Sequence, residues 1–169
     1  IFLLYANMTL KSDYLIVGAG AMGMAFADVL VHESNATAII IDKRVLPGGH
    51  WNTAYPFVTL HQPSAFYGVN SMTLGQNRID SEGWNEGLYE LATNSEVCHY
   101  FQRVMVEKLL PSGQIQFVPN AELTSDGSVI STVTGQIIEL EVKKIVDASY
   151  MDVQVPSMRP PDFPVADGV

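Results

Sequence analysis

The chain has 169 residues, of which 47% are hydrophobic, enough for one globular domain with a real core. Nine Lys and Arg against 18 Asp and Glu give a formal charge of -9, which disfavours nucleic acid and anionic membranes as partners. Cys98 is the single cysteine and no Cys and His group has zinc-ligand spacing, so we expect a reduced, cytoplasmic setting and no metal site.

The first seven residues, IFLLYAN, are apolar but carry no preceding basic region. The run is too short to span a bilayer or to form a normal secretory core. Met8 is a more natural beginning. We therefore interpret residues 1–7 as a non-native or upstream leader and start the domain at residue 8.

The next segment has the pattern of a strand, a helix and a second strand. Residues Tyr14–Val17 form a short apolar run typical of a buried strand, and the apolar residues of Ala21–Val31 recur at steps of three and four, as in a helix. Ala38–Ile41 is again apolar and is closed by Asp42. A right-handed crossover of this length predicts that the two strands are parallel.

The segment from Arg44 to Gly83, called here the aromatic loop, has no stable period. Loops of this length are usually functional or disordered. Its aromatic content argues against disorder, so we expect it to be folded over something. The residues that give it this content are His50, Trp51, Tyr55, Phe57, His61, Phe66 and Tyr67.

The second half predicts one helix and several short strands. The helix is expected to be capped by Ser95 and to end at Pro111–Gly113. The predicted strands are Ile115–Val118, Val129–Val133, Ile137–Val142 and Lys144–Val146, partly arranged as a small antiparallel meander. We end the domain at residue 150 and interpret the proline-rich residues 151–169 as leading to a missing carboxyl-terminal part.

Three glycines, Gly18, Gly20 and Gly23, form a G-x-G-x-x-G motif between the first strand and the first helix. In that context the first permits a tight turn, the second lets the backbone approach a pyrophosphate, and the third lets the helix pack on the strand. The free N–H groups of the first helical turn attract an anion. Asp42 follows at the spacing of a carboxylate that binds ribose hydroxyls. The simpler interpretation is a plain turn and a strand end.

This motif with Asp42, Gly48-Gly49 and His50-Trp51 resembles the amino-terminal FAD-binding half of two-dinucleotide-domain flavoproteins, nearest the flavin-containing monooxygenase-like group. The resemblance covers most of residues 13–150. It implies an α/β, Rossmann-type three-layer FAD/NAD(P)-binding fold, with a parallel sheet to which the last strand returns and a small antiparallel β-meander. It also implies that the motif glycines and Asp42 bind the ADP part of FAD, while Gly48 and Gly49 lie by its pyrophosphate or ribityl chain.

The predicted cofactor-binding residues form three short runs along the chain. They are Gly18, Ala19, Gly20, Ala21, Met22, Gly23, Asp42, Lys43, Arg44, Gly48, Gly49, His50 and Trp51. The family usually has Glu where this chain has Asp42, a residue equally suited to NAD, and Lys43-Arg44 would suit the 2'-phosphate of NADP or form a solvated pair. No cysteine pair follows Gly48-Gly49, which disfavours the disulfide reductase branch.

Two loop histidines, His50 and His61, are the candidates for acid–base work at a flavin, although such residues more often bind a local carbonyl. Trp51 is expected to pack against the cofactor or to close the loop, and Cys98 to be structural. The resemblance implies a flavin-dependent oxidoreductase, of monooxygenase type, that uses NADPH and a small organic substrate. An NAD(P)-dependent dehydrogenase fragment and a non-catalytic redox-sensing module remain alternatives, and the segment alone is expected to be inactive.

Overall fold

The structure, a computed structural model, describes residues 9–149 and 163–164. The predicted leader at residues 1–7, the domain limit at residue 150 and almost all of the segment 151–169 lie outside these residues. The domain boundaries therefore stay predictions.

Eight strands and two α-helices occur in the described residues. The strands are β1 (Leu10–Val17), β2 (Ala38–Asp42), β3 (Gly68–Val69), β4 (Met72–Thr73), β5 (Ile115–Pro119), β6 (Ala121–Leu123), β7 (Val129–Ser131) and β8 (Leu140–Asp147). Helix α1 is Ala21–Glu33 and helix α2 is Asn94–Arg103, which continues as a π-helical segment, Val104–Leu109, and a 3-10 turn, Leu110–Ser112. Further 3-10 turns are Gly49–Thr53 and Ser64–Phe66.

The central sheet is parallel, with strand order β5-β2-β1-β8. Val17, the last residue of β1, lies opposite Ile41 on one side and Asp147 on the other. Strands β3 and β4 form one antiparallel pair and β6 and β7 another. This is the predicted α/β Rossmann-type arrangement, and the return of the last strand to the parallel sheet is confirmed.

The three layers follow from the alternation of side chains along the buried strands. All five residues of β2 are buried because both faces of the sheet are covered. Ile16 and Ile40 face one core cluster with residues of α1 and α2, whereas Leu15 and Ile39 face a second cluster with β6 and β7. Alternation places residues i and i+1 on opposite faces, so the helices and the small β pair lie on opposite sides of the sheet.

Several predicted boundaries were wrong. Thr93 rather than Ser95 caps α2, because its hydroxyl accepts the Glu96 N–H while the Glu96 carboxylate accepts the Thr93 N–H, a complete capping box. The strands predicted at Ile137–Val142 and Lys144–Val146 are one strand, β8, since pairing with β1 runs from residue 140 to residue 147.

The antiparallel meander was also predicted with different limits. Strand β7 stops at Ser131 instead of Val133, and its partner β6 (Ala121–Leu123) was not predicted at all. Ile137 makes only an isolated antiparallel bridge with Ile130. Strands of three residues are too short for period-2 alternation to reveal them.

The aromatic loop is folded against the two helices, as its composition predicted. Leu60, Val69 and Leu74 are buried in the core cluster that contains α1 and α2. The buried carboxylate of Asp28 in α1 accepts hydrogen bonds from the N–H and the hydroxyl of Ser71. The Tyr100 hydroxyl accepts the Val69 N–H at 2.7 Å. Side chains of both helices thus hold the β3–β4 hairpin in place.

Candidate functional site: the glycine loop and the carboxyl edge of the sheet

Residues 18–23, the glycine loop, connect β1 to α1 through two positions at which only glycine fits. Gly18 has φ +107, and a Cβ there would lie 2.7 Å from the Ala148 carbonyl oxygen. A Cβ on Gly23 would lie 2.0 Å from the Gly18 carbonyl oxygen. The tight turn and the close packing of helix on strand that the motif predicted are therefore both confirmed.

Gly20 has a neighbour that the sequence did not predict. A Cβ on Gly20 would lie 3.5 Å from the Cα of Gly49, and a Cβ on Gly49 would lie 2.9 Å from the Cα of Gly20. The Gly48 N–H donates to the Ala19 carbonyl oxygen at 2.8 Å. The double glycine therefore packs directly on the glycine loop, and two bare stretches of backbone meet at the start of α1.

Helix α1 begins without a side-chain cap. Gly20 is its N-cap residue and has no side chain, and the first turn carries no acidic residue. The Met24 N–H donates to the Gly20 carbonyl oxygen, so the N–H groups of Ala21, Met22 and Gly23 precede the first i to i-4 hydrogen bond of the helix. These N–H groups and the helix dipole favour an anion at this end.

Asp42 points toward the glycine loop. It is 6% exposed, its Oδ2 accepts the Ala19 N–H at 2.8 Å, and its Oδ1 accepts the Arg44 N–H at 2.8 Å. The carboxylate therefore holds the loop in place, a role that sequence reasoning missed. Lys43 is exposed, and an Nη of Arg44 lies 3.4 Å from the Thr53 hydroxyl.

The predicted histidines and Trp51 lie in different environments. Trp51 is 8% exposed and donates through Nε1 to the Tyr67 hydroxyl at 2.7 Å, so it closes the aromatic loop. His50 is exposed and stacks on Trp51 with ring centroids 5.5 Å apart. Partial burial and the nearby Arg44 charge lower the pKa of His50. His61 lies exposed on the same loop.

Residues at the end of β8 complete the carboxyl edge of the sheet beside the glycine loop. The Ala148 N–H donates to the Val17 carbonyl oxygen at 2.9 Å, and its own carbonyl lies against Gly18. The Asp147 carboxylate accepts the Ser149 hydroxyl and N–H, which lowers the pKa of Asp147. The strand-end position of Asp147 was visible in the sequence, but its place next to β1 depends on the sheet order.

Cys98 lies half-buried in α2, where burial raises the pKa of its thiol. A raised pKa keeps the thiol protonated and unreactive near neutral pH, in line with the structural interpretation. Across residues 9–149 and 163–164, no group of three or more His, Cys, Asp or Glu side chains is arranged to hold a metal ion. In the same residues, no helix combines the length and the hydropathy needed to cross a membrane.

The region around the glycine loop is similar in sequence to a known domain family. The family described as NAD(P)-binding Rossmann-like domain matches residues 16–78, which include the glycine loop, Asp42 and the double glycine. Residues 16–78 are thus similar to that family, and the parallel strand order described above is of the same Rossmann type.

Solved structures share the fold of this Rossmann-like domain at low sequence identity. A flavin-containing monooxygenase from Stenotrophomonas maltophilia is 15% identical with a TM-score of 0.56, covering 83% of this chain and 39% of that chain. Cyclohexanone monooxygenase in its open crystal structure is 23% identical with a TM-score of 0.51, covering 83% and 27%. Bacillithiol disulfide reductase from Staphylococcus aureus is 14% identical with a TM-score of 0.57, covering 84% and 39%. These likenesses establish the fold.

Curated relatives are closer in sequence. Uncharacterized proteins of Mycobacterium tuberculosis and Mycobacterium bovis are 52% identical over 161 residues, which is 95% of this chain. The chain spans 30% of the length of these relatives.

Proposed function

We propose that the Rossmann-like domain binds FAD and forms the FAD-binding portion of a flavin-dependent, NAD(P)H-using oxidoreductase. The observation that carries this proposal is the meeting of two glycine backbones, Gly20 and Gly49, at the uncapped start of α1. A bare backbone surface beside free helix N–H groups suits a pyrophosphate, which needs close approach and hydrogen-bond donors.

The residues of the site have separate tasks in this proposal. The first-turn N–H groups of α1 bind pyrophosphate oxygens, and Gly20 and Gly49 leave room for them. Asp42 fixes the loop through the Ala19 N–H, and the remaining lone pairs of its carboxylate accept ribose hydroxyls. Lys43 and Arg44 stand at the same strand end, where their charge favours the nucleotide phosphates.

The oxidoreductase assignment is supported by the solved structures of the same fold, which include flavin monooxygenases and cyclohexanone monooxygenase. Bound flavin supplies hydride acceptance from a nicotinamide and electron transfer to oxygen. We propose a monooxygenase-like reaction with NADPH as co-substrate and a small organic substrate. Because the chain spans 30% of its relatives, this activity belongs to a longer protein, and the present segment is expected to be inactive by itself.

The protein surroundings of the flavin fit the same proposal. His50 directly follows Gly49, and its lowered pKa favours the neutral ring, which can accept a proton and can donate or accept a hydrogen bond. His61 is the second acid–base candidate. The single cysteine leaves no dithiol pair for disulfide reduction within this chain. The acidic balance disfavours nucleic acid and membrane partners, and we propose a cytoplasmic location.

A dehydrogenase fragment that binds NAD or NADP at the same loop is the second candidate. Asp42 favours it, because Asp at the ribose position suits NAD as well as FAD, and the adjacent Lys43-Arg44 pair would suit NADP. A dinucleotide-binding redox sensor without catalysis is the third.

A visible spectrum of the purified protein tests the proposal, because oxidised flavin absorbs at about 450 nm. Gly20→Ala is the informative variant. Gly20 has φ -83 and its added Cβ would make only an ordinary 3.5 Å contact, so the fold tolerates it while the pyrophosphate surface is covered. Gly127→Ala, in a turn with open space around it, is the control. We expect flavin loss in the first variant only.

Each other outcome selects another candidate. Absence of flavin together with measurable NAD or NADP binding would replace the proposal by the dehydrogenase fragment. If a polypeptide as long as the relatives bound flavin but did not turn over NADPH, the redox-sensor candidate would be favoured. Unchanged flavin content in Gly20→Ala would show that the cofactor does not lie on this loop.

A further inference from the structure

Residues 78–90 form an antiparallel hairpin, called here the arm, which plays no part in the proposed cofactor site. Ile79 pairs with Tyr89. The Asp80 N–H donates to the Leu88 carbonyl oxygen at 2.9 Å, and the Asn85 side-chain amide donates to the Asp80 carboxylate at 2.7 Å and to the Tyr89 carbonyl at 2.8 Å. The arm therefore has a defined conformation that fixes where its side chains point.

The arm exposes four large apolar side chains. Trp84 at its tip is fully exposed, and Ile79, Leu88 and Tyr89 are 53%, 62% and 46% exposed. Hydrogen bonds flank the Ile79–Tyr89 pair on both sides, so this is a non-hydrogen-bonded pair whose side chains lie close together on one face. A two-stranded hairpin is marginally stable in water without a covered face, and grouped exposed apolar residues mark interaction sites.

The charged residues of the arm are mostly acidic. Asp80, Glu82 and Glu86 lie among the apolar residues, and Arg78, the one basic residue of the arm sequence, lies 3.5 Å from the Glu90 carboxylate. A cavity of about 550 Å³ lies between the base of the arm and α2, with Arg78, Asp80, Glu90, Glu96, His99 and Arg103 in its lining. Exposed apolar side chains with acidic neighbours fit a partner surface that is apolar at its centre and basic at its rim.

We propose that the arm docks onto a further part of a longer polypeptide. The patch that it contacts there is apolar at its centre and basic at its rim. Relatives that are 52% identical over 95% of this chain contain it as 30% of their length, so their equivalent domain adjoins a much larger remainder. A second copy of the chain is disfavoured as the occupant, because a formal charge of -9 brings acid against acid.

Hydrogen exchange tests the location of the contact. Exchange of the amides of residues 79–89 is measured by mass spectrometry in this 169-residue chain and in the polypeptide of the full length that its relatives have. We expect exchange at least about tenfold slower in the longer polypeptide, since docking suppresses local opening of the hairpin. Equal exchange in both overturns the proposal. Protection that rises with concentration in the 169-residue chain assigns the surface to a second copy and also overturns it.

Matched double variants test the side chains. Trp84→Ser with Leu88→Ser removes arm surface, and Tyr55→Ser with Phe57→Ser removes a stacked pair that is 71% and 81% exposed elsewhere. We expect the arm variant alone to lower the melting temperature of the longer polypeptide by several degrees, and to leave that of the 169-residue chain unchanged. Equal effects of both variants, no effect of the arm variant, or an equal loss in both lengths contradicts the docking role. Flavin content of the same samples reports separately on the cofactor proposal.

Discussion

Replacing Gly23 by alanine separates local helix propensity from tertiary contact. By propensity alone the change should stabilise α1, because alanine in a helix is favoured over glycine by about 1 kcal/mol. The new Cβ, however, would lie 2.0 Å from the Gly18 carbonyl oxygen and 3.2 Å from Cγ2 of Ile16, where an ordinary contact is 3.4 Å or more. The obstructing atom belongs to the backbone of a tight turn, so it cannot rotate away.

The steric clash outweighs the gain in helix propensity, so the net change in unfolding free energy is destabilising. Overpacking a rigid site costs about 1–3 kcal/mol and occasionally more, and a gap short by more than 1 Å at a backbone oxygen belongs at the upper end. After the gain in propensity, we expect Gly23→Ala to lose about 2 kcal/mol of unfolding free energy. For a chain of this size that lowers the melting temperature by roughly 4–8 °C.

Thermal and urea unfolding followed by circular dichroism measure this change. Gly127→Ala is the control, because Gly127 has φ +87 but nothing within 4 Å of an added Cβ. Its cost is backbone strain alone, about 1–2 kcal/mol, with no steric contact added. If Gly23→Ala were as stable as the native chain, or more stable, the close approach of α1 to the glycine loop would not exist in solution.

Three further changes test other parts of the structure. Lys143 and hydrogen bonds lower the pKa of Asp13 from 3.8 to about 2, so the carboxylate contributes stability above pH 4 that is lost as the pH falls toward 2. The difference in unfolding free energy between the native chain and Asp13→Asn, measured by urea unfolding at each pH, should therefore shrink over that range. A difference that stays constant with pH would contradict this. Thr93→Ala should cost about 1 kcal/mol in urea unfolding and Ser95→Ala almost nothing, and the reverse order would restore the cap predicted from sequence. Asp42→Asn leaves one side-chain oxygen to serve two backbone N–H groups, so we expect a loss of roughly 1–3 kcal/mol and faster amide exchange in the glycine loop, whereas native exchange rates would refute its positioning role.

Local pattern was sufficient for the elements that surround the glycine loop. The strand, glycine motif, helix and second strand were predicted in the correct order. Buried strands and helices that are buried on one face each have a characteristic hydrophobic pattern, and the motif glycines lie close together in the chain, within residues 18–23. The short strands β3, β4 and β6 were not predicted, since two or three residues carry no period. The Thr93 cap was missed because Ser95 is equally good by residue type, and only the Glu96 contact distinguishes them.

The sequence by itself determined that a flexible turn stands before a helix start, with an acid at the next strand end. The tertiary structure decided what surrounds that turn: strand β8 brings the Ala148 carbonyl against Gly18, the double glycine packs on Gly20, and Asp42 accepts the Ala19 N–H. These contacts join residues 23 to 130 positions apart. Their formation depends on strand order and on loop path, neither of which leaves a period or a spacing in the sequence for local reasoning to detect.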